Sequence, residues 1–335
     1  MKVFIEAYLF GNLGDDLFVD ILTERYPNTE FVAVSHYYKP ESGHMKVYND
    51  RLLSKIFSPK TLQRIYSKKC EIVVSIGGSM YIEGISEESA VPELGKKFYI
   101  IGANFGPYRS REYVEKHRNI FTRAEDVCFR EDFSYQLFRE ITNVRKAPDI
   151  VFSCKSLPEH CSKKHRVVMS VIDCREELEV FRESYHLKMA EMAEEFVYRG
   201  YEVCFMSFCQ VQGDESAVNR IREQCKVNTE IYFYRGNRRE ALQILSDCEI
   251  VVGTRFHANV LGFLFHKIVF PIIYCEKTSH MLNDLGFQGK RISLDEIDKF
   301  EPKNITEQDL QYRLETGELR EQAEEQFLKL DKVLS

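Results

Sequence analysis

Short β-branched apolar runs that end on a glycine-bearing loop and give way to a helix recur along this chain, and no other feature limits its fold as tightly. Glu249–Ile250–Val251–Val252–Gly253–Thr254–Arg255–Phe256–His257–Ala258–Asn259–Val260–Leu261–Gly262 is the fullest instance. The apolar run reads as a buried strand and the residues after Gly253 as a helix, so Arg255 and His257 fall near the turn between them. Residues two apart diverge on a formed helix but share a side in extended backbone. Both side chains therefore face one ligand only if Arg255 precedes the helix. The plainer alternative is an arginine paired with a carboxylate beside a core histidine.

The same unit repeats in chain order. Val3–Leu9 is a strand running into Gly11–Asn12–Leu13–Gly14–Asp15–Asp16, with Asp15 or Asp16 as the expected helix cap, and Phe31–Val34 is a second strand. From about Asp50 to Lys68 the chain is polar and helix-prone. Glu71–Ile76 then ends in Gly77–Gly78–Ser79, and Lys97–Ala103 ends in Gly102–Ala103–Asn104–Phe105–Gly106–Pro107. Such loops let backbone approach a ligand at a strand's carboxyl end, or serve as tight turns only. Val127–Phe129 leads straight into Arg130, which stands where Arg255 stands, between a strand and a helix. Pro148–Asp149–Ile150–Val151–Phe152 reads as the last strand of a first domain, and Cys154–His165 as a linker. The pattern restarts at Val167–Ile172 and continues to Lys267–Tyr274, and Glu307 to Leu334 reads as a charged terminal helical stretch.

Strands alternating with helices in both halves give an α/β chain of two Rossmann-like parallel-sheet domains, residues 1–155 and 165–335, with the C-terminal helix able to pack back on the first domain. At 335 residues the chain exceeds the usual size of a single core. The net charge of −6 argues against a general nucleic-acid binder while allowing local basic pockets; Lys163–Lys164–His165–Arg166 qualifies but reads more simply as a solvated linker, and Arg235, Arg238 and Arg239 as a charged helix start. Ten cysteines with no Cys-x-x-Cys pair fit a reducing, cytoplasmic setting without a zinc site or disulfide framework. No apolar run approaches the roughly 20 residues that span a bilayer, so membrane contact would be peripheral at most.

If the two domains face each other across a cleft, Arg130 lies on one wall and Arg255 with His257 on the other. That trio suits a ligand with two anionic groups and a bond that needs protonation to break. The residues alone stop at a transferase or hydrolase of an anionic small molecule.

The pieces quoted above, together with Arg130–Glu131…Ser134, Pro148–Asp149, Gly253…Arg255…His257–Ala258 and Tyr274…Lys277, resemble the polysaccharide pyruvyl transferase family in their order along most of the chain. The resemblance implies an architecture similar to the glycosyltransferase B type. It implies transfer of a pyruvyl group from phosphoenolpyruvate onto two hydroxyls of a sugar, lipid- or nucleotide-linked, forming a ketal and releasing phosphate, without metal or cofactor. By the same resemblance His257 is the general acid and Arg255 and Arg130 hold phosphate or carboxylate, while Asn12, Gly14, Asp15, Gly77, Gly78, Ser79, Asn104, Gly106 and Lys277 line the substrates. The family often carries a longer glycine run than Gly77–Gly78–Ser79, and Lys277 reads equally as a solvated lysine at a helix start. Cys209–Gln210–Val211–Gln212–Gly213–Asp214 is a candidate acceptor-contacting loop. A nucleotide-sugar-dependent glycosyltransferase of the same architecture is the alternative, and a non-enzymatic regulatory subunit a third reading; the oligomeric state is left open.

Overall fold

In the computed structural model, residues 1–41, 43–49, 52–84, 96–158 and 165–335 are described. Lys163, Lys164, Asp50 and the centre of the expected linker lie outside them. The chain divides into two compact units: Met1–Phe10, Asp15–Lys155 and Glu318–Ser335 form the first, and Gly11–Gly14 with Ser156–Gly317 the second.

The first unit is built on seven strands: β1 (Lys2–Glu6), β2 (Glu30–Val34), β3 (Met45–Tyr48), β4 (Ile72–Ile76), β5 (Lys97–Ala103), β6 (Asp126–Phe129) and β7 (Val144–Lys146). All pair in parallel, in the order β3-β2-β1-β4-β5-β6-β7. The second unit repeats that order with six: β8 (Arg166–Ser170), β9 (Glu202–Ser207), β10 (Glu230–Phe233), β11 (Ile250–Gly253), β12 (Ile268–Ile273) and β13 (Ile292–Ser293), arranged β10-β9-β8-β11-β12-β13. These pairings too are all parallel. Each sheet reverses its winding once, between β1 and β4 and between β8 and β11. Loops at the carboxyl ends of those strands are where doubly wound sheets open a crevice for ligands.

Burial on both faces explains why the central strands read as unbroken apolar runs: every residue of β4, β8 and β11 is buried. The connecting helices of the first unit are α1 (Leu13–Arg25), α2 (Pro59–Ser67), α3 (Arg111–Thr122) and α4 (Asp132–Phe138). Those of the second are α5 (Arg182–Tyr198), α6 (Asp214–Gln224), α7 (Arg238–Asp247), α8 (Phe256–Leu264) and α9 (Glu276–Asp284).

Three local expectations are corrected. Pro148–Phe152 is not a strand, because the Asp149 carboxylate accepts from Val151 N at 2.9 Å and starts a 3-10 turn over Ile150–Ser153. Asp15 and Asp16 do not cap α1; the helix begins at Leu13 and both lie in its first turn, where their charge still suits the helix dipole. The terminal stretch is broken into α10 (Gly317–Ala323), a 3-10 turn and α11 (Asp331–Leu334).

That terminal stretch packs on the first unit through polar groups as well as Phe327 and Leu330. Gln326, fully buried, accepts from Gly102 N at 2.8 Å and donates to the Ala147 and Pro148 carbonyls at 2.8 and 3.0 Å. Arg25 grips Asp331 with Nε and Nη2 at 2.7 and 2.8 Å while its guanidinium lies 4.6 Å from the Phe327 ring centre. Gln326→Ala leaves two buried backbone groups, Gly102 N and the Ala147 carbonyl, and the half-buried Pro148 carbonyl without the amide, so urea unfolding of the variant should show a loss of about 3 kcal/mol. A midpoint equal to the parent protein's would mean water replaces the amide.

Candidate functional site

The residues singled out from the sequence fall into two clusters, each inside one unit at the carboxyl ends of its central strands. In the first unit Arg130 is the centre. Its side chain is 2% exposed, Nη1 donates to Asp149 Oδ2 at 2.8 Å, and Nη2 donates to Asn104 Oδ1 at 2.8 Å. A Cβ on Gly78 would stand 2.2 Å from the guanidinium carbon, so this position requires glycine for the arginine to lie flat. Asn104 N donates to Gly78 O and Arg130 N to Ala103 O, which laces together the loops after β4, β5 and β6. Gly77, at φ +147°, turns beside Asp15, whose Oδ1 is 3.7 Å from where a Cβ would sit. Ser79 follows it half-buried, and Gly106 N bonds Tyr81 O. Glu131 caps α4 through Ser134 N, and Phe105 N donates to Ser134 Oγ at 2.7 Å, so the Arg130–Glu131…Ser134 spacing fixes the same loop from its other side.

In the second unit the backbone of Arg255 is extended, at φ −69° and ψ 135°, and α8 starts at the next residue. Arg255 therefore precedes the helix, the condition under which it and His257 can serve one ligand. The turn is closely specified: Thr254 N and Arg255 N donate to Ser170 Oγ at 3.0 and 3.2 Å, and Asn259 Nδ2 donates to Gly253 O at 2.9 Å. A Cβ on Gly253 would collide with the Asn259 side chain at 2.0 Å.

The Arg255 fork closes on Asp214, Nε to Oδ2 at 3.0 Å and Nη2 to Oδ1, while Nη1 donates to Gln212 Oε1. Asp214 is fully buried and also accepts from Phe208 N and Cys209 N, both at 2.9 Å. Burial opposes the Arg255 charge, but the Asp214 carboxylate outweighs it and holds the guanidinium above its ordinary pKa. Burial also drives the Tyr274 phenol far up, so it remains a neutral hydroxyl beside the pair. Each arginine is thus paired with an aspartate of its own unit, the plainer alternative read from the sequence at Arg255, although the sequence did not say which aspartate.

Residues 11–14 belong to this second cluster. Leu13 N donates to Phe208 O at 2.9 Å, Gln210 N to Gly11 O at 3.0 Å, and Asn12 forms an antiparallel bridge with Cys209. The Asn12 side chain accepts from Gly14 N at 3.0 Å. Gly14 lies against the His257 imidazole so closely that a Cβ would fall 1.8 Å from Nδ1. His257 is 9% exposed with the Phe256 ring edge-on at 5.1 Å. Lys277, the second residue of α9, is half-buried with Nζ 6.0 Å from the Phe256 ring centre. The Cys209–Asp214 loop, a candidate acceptor contact, supplies the support for Arg255 and for Gly11 and Asn12. Arg238, a candidate for a basic pocket or simply a charged helix start, is the first residue of α7 and 2% exposed. Among the described residues no group of three or more His, Cys, Asp or Glu is placed to hold a metal ion, and no helix is long and apolar enough to cross a membrane.

Comparison with known proteins adds the context this geometry lacks. A family model described as polysaccharide pyruvyl transferase matches residues 12–276, a span holding every candidate site residue except Lys277. The amylovoran biosynthesis protein AmsJ of Erwinia amylovora is 22% identical over 307 residues, covering 82% of this chain and 73% of that protein. Among solved structures, the UDP-GlcNAc 2-epimerase of Neisseria meningitidis bound to UDP-GlcNAc superposes with a TM-score of 0.64 at 11% identity over 99% of this chain and 100% of the other. The S. aureus MnaA-UDP structure gives 0.64 at 12% identity, covering 96% and 90%. At such identities the likeness is one of fold, two parallel-sheet α/β domains of glycosyltransferase B type.

Two predictions follow from the second cluster. Asp214→Asn strips a buried guanidinium of its counter-charge and should cost about 3 kcal/mol in chemical unfolding, much of it regained in the Asp214→Asn, Arg255→Met double variant. Equal losses in single and double variants would show that the pair is not energetically coupled. Gly14→Ala should leave the circular dichroism spectrum intact yet move the His257 ring resonances in 15N-histidine spectra; unchanged resonances would mean that the loop gives way instead.

Proposed function

Because the chain belongs to the polysaccharide pyruvyl transferase family, we propose that it moves a pyruvyl group from phosphoenolpyruvate onto two hydroxyls of one sugar, in a surface polysaccharide or its lipid- or nucleotide-linked precursor. The carrying observation is the family match together with an arginine and a histidine set on either side of a helix start. The name of the Erwinia relative, an amylovoran biosynthesis protein, supports a polysaccharide as the setting.

The chemistry asks for little beyond what these residues offer. Protonation of the methylene carbon of phosphoenolpyruvate leaves an oxocarbenium centre at the adjacent carbon. One sugar hydroxyl adds there, phosphate departs with its bridging oxygen, and the second hydroxyl closes the ring. Of the two hydroxyl protons released, one balances the proton placed on the methylene and the other leaves with phosphate. His257 is the proton donor in this reading, held by Gly14 on one side and Phe256 on the other. A guanidinium has five N–H donors, and the Asp214 and Gln212 bonds take up three of those on Arg255. The other two are available to a phosphate or carboxylate oxygen. Since Asp214 already balances the charge of Arg255, that recognition would rest on directed hydrogen bonds more than on net attraction. The first turn of α8, whose amide dipoles favour negative charge, acts in the same direction. Arg130 is proposed for the carboxylate, and Lys277, Asn12, Asp15, Ser79, Asn104 and the loop glycines for the remaining substrate contacts. No metal or cofactor enters the scheme.

The test is incubation of the purified chain with phosphoenolpyruvate and a panel of galactose-, glucose- and mannose-containing acceptors, reading phosphate release and the acceptor's gain of a pyruvyl ketal by mass spectrometry. Acceptor-dependent release is expected, falling at least about 100-fold in His257→Ala, as loss of a general acid does. Arg255→Lys should raise KM for phosphoenolpyruvate, because an ammonium cannot reproduce the planar fork. Sugar transfer from a nucleotide sugar, with no use of phosphoenolpyruvate, would replace this reading by a glycosyltransferase of the same architecture.

A further inference from the structure

Between Leu52 and Lys69 the sequence holds five basic residues, Lys55, Lys60, Arg64, Lys68 and Lys69, and no acidic one, in a chain whose net charge is −6. The same segment is unusually apolar on its outside. Leu52 and Ile56 are 76% and 75% exposed, and Leu53, Phe57 and Ile65 are also exposed. These five are more than a third of the thirteen large exposed hydrophobic side chains among the described residues, gathered in a segment of eighteen positions.

Among the described residues the segment is anchored along one side. Ser58 caps α2 by accepting from Thr61 N, Pro59 opens the helix, Leu62 is buried, and Tyr66 stacks on Tyr48 with ring centres 4.2 Å apart. The 3-10 turn Leu53–Lys55 packs against this helix and carries Leu52, Ile56 and Phe57 outward. Lys55, Arg64, Lys68 and Lys69 are exposed around them. A soluble chain gains nothing from leaving Leu52 and Ile56 in water, and a scattered surface leucine is ordinary whereas a cluster rimmed by one sign of charge is not.

We propose that residues 52–69 form a peripheral docking surface for an anionic lipid bilayer, with Leu52, Ile56, Phe57 and Ile65 entering the headgroup region and Lys55, Arg64, Lys68 and Lys69 lying against acidic headgroups. Charge complementarity selects this occupant. The chain as a whole is repelled by an anionic surface, so only a segment with its acidic residues removed can approach one, and apolar side chains among the lysines then supply the short-range attachment. An acidic protein partner would need the lysines but not the bare Leu52 and Ile56. A second copy of this acidic chain would set like charges against each other around the patch. The proposal concerns a surface apart from the candidate site and stands whether or not phosphoenolpyruvate is the donor.

The experiment is sedimentation of the full chain with phosphatidylglycerol–phosphatidylethanolamine vesicles and, in parallel, with pure phosphatidylcholine vesicles, at low salt and at half-molar salt. Binding is expected to the first only, and to weaken in salt. Lys68→Glu with Lys69→Glu should reduce partitioning about twentyfold or more, at roughly fivefold per basic side chain. Leu52→Glu with Ile56→Glu should abolish it, thermal unfolding of both variants remaining that of the parent. Hydrogen exchange needs no substitution: amides of 52–67 in the unaltered chain should slow on the anionic vesicles. Equal binding to both vesicle types, no binding, or no slowing in 52–67 would overturn the proposal. So would self-association in solution that Leu52→Glu with Ile56→Glu removes while vesicles remain unbound, which would give the face to a second copy.

Discussion

A buried arginine must have its counter-charge buried with it, and both units of this protein are arranged around that requirement. Removing a guanidinium from water costs several kcal/mol unless an ionised partner and further hydrogen bonds surround it. Arg130 meets the condition with Asp149 and Asn104, and Arg255 with Asp214 and Gln212. In both cases the arginine sits just past a strand, Arg130 directly after β6 and Arg255 one residue beyond Thr254 after β11, while the aspartate arrives from a different loop. The ion pair thus joins the carboxyl ends of the sheet that would otherwise be independent loops. Asp214 carries this furthest, because one carboxylate holds Arg255 and two amides of the strand end at Phe208 and Cys209.

Several glycines then have a reason beyond turn-making. Gly78 is flat ground under Arg130, and Gly253 makes room for Asn259, which ties the turn before α8. Gly14 is the contact surface of His257. Chain direction at these points is set by what must lie against them, and a methyl group at any of the three would displace a polar side chain rather than a flexible apolar one. The packing that shapes the loops and the groups offered for chemistry are therefore the same atoms, which is why the candidate site resists division into structural and reactive parts.

Much of this fold was legible in the sequence because doubly wound sheets bury their central strands on both faces. Ile72–Ile76 and Ile250–Gly253 advertise themselves as unbroken apolar runs. Strands at the margin do not: Met45–Tyr48 and Val144–Lys146 are short and carry Lys46, Arg145 and Lys146, so period and hydrophobicity are lost together. The Ile150–Val151–Phe152 run misleads for a different reason, since a single carboxylate at Asp149 redirects an otherwise strand-like segment into a 3-10 turn. The family itself was legible in the order of the glycine, arginine and histidine motifs. Their partners were hidden. Asp149 lies 19 residues from Arg130 and Asp214 lies 41 before Arg255, separations across which no local pattern signals contact. Asp149 reads as the start of a strand and Asp214 as part of an irregular loop until the fold brings each under an arginine.

The pairing also limits how an anion can be recognised here. An unpaired buried arginine would attract any dianion strongly and indiscriminately. Once Asp214 has balanced Arg255, and Asp149 Arg130, each guanidinium is close to neutral with its aspartate, and the long-range pull on phosphate or carboxylate is largely cancelled. What remains at Arg255 is direction: Asp214 fixes the plane of its fork, so the two N–H groups left over point along lines set by the fold. In such an arrangement an anion is recognised by whether its oxygens meet those lines and not by its charge alone.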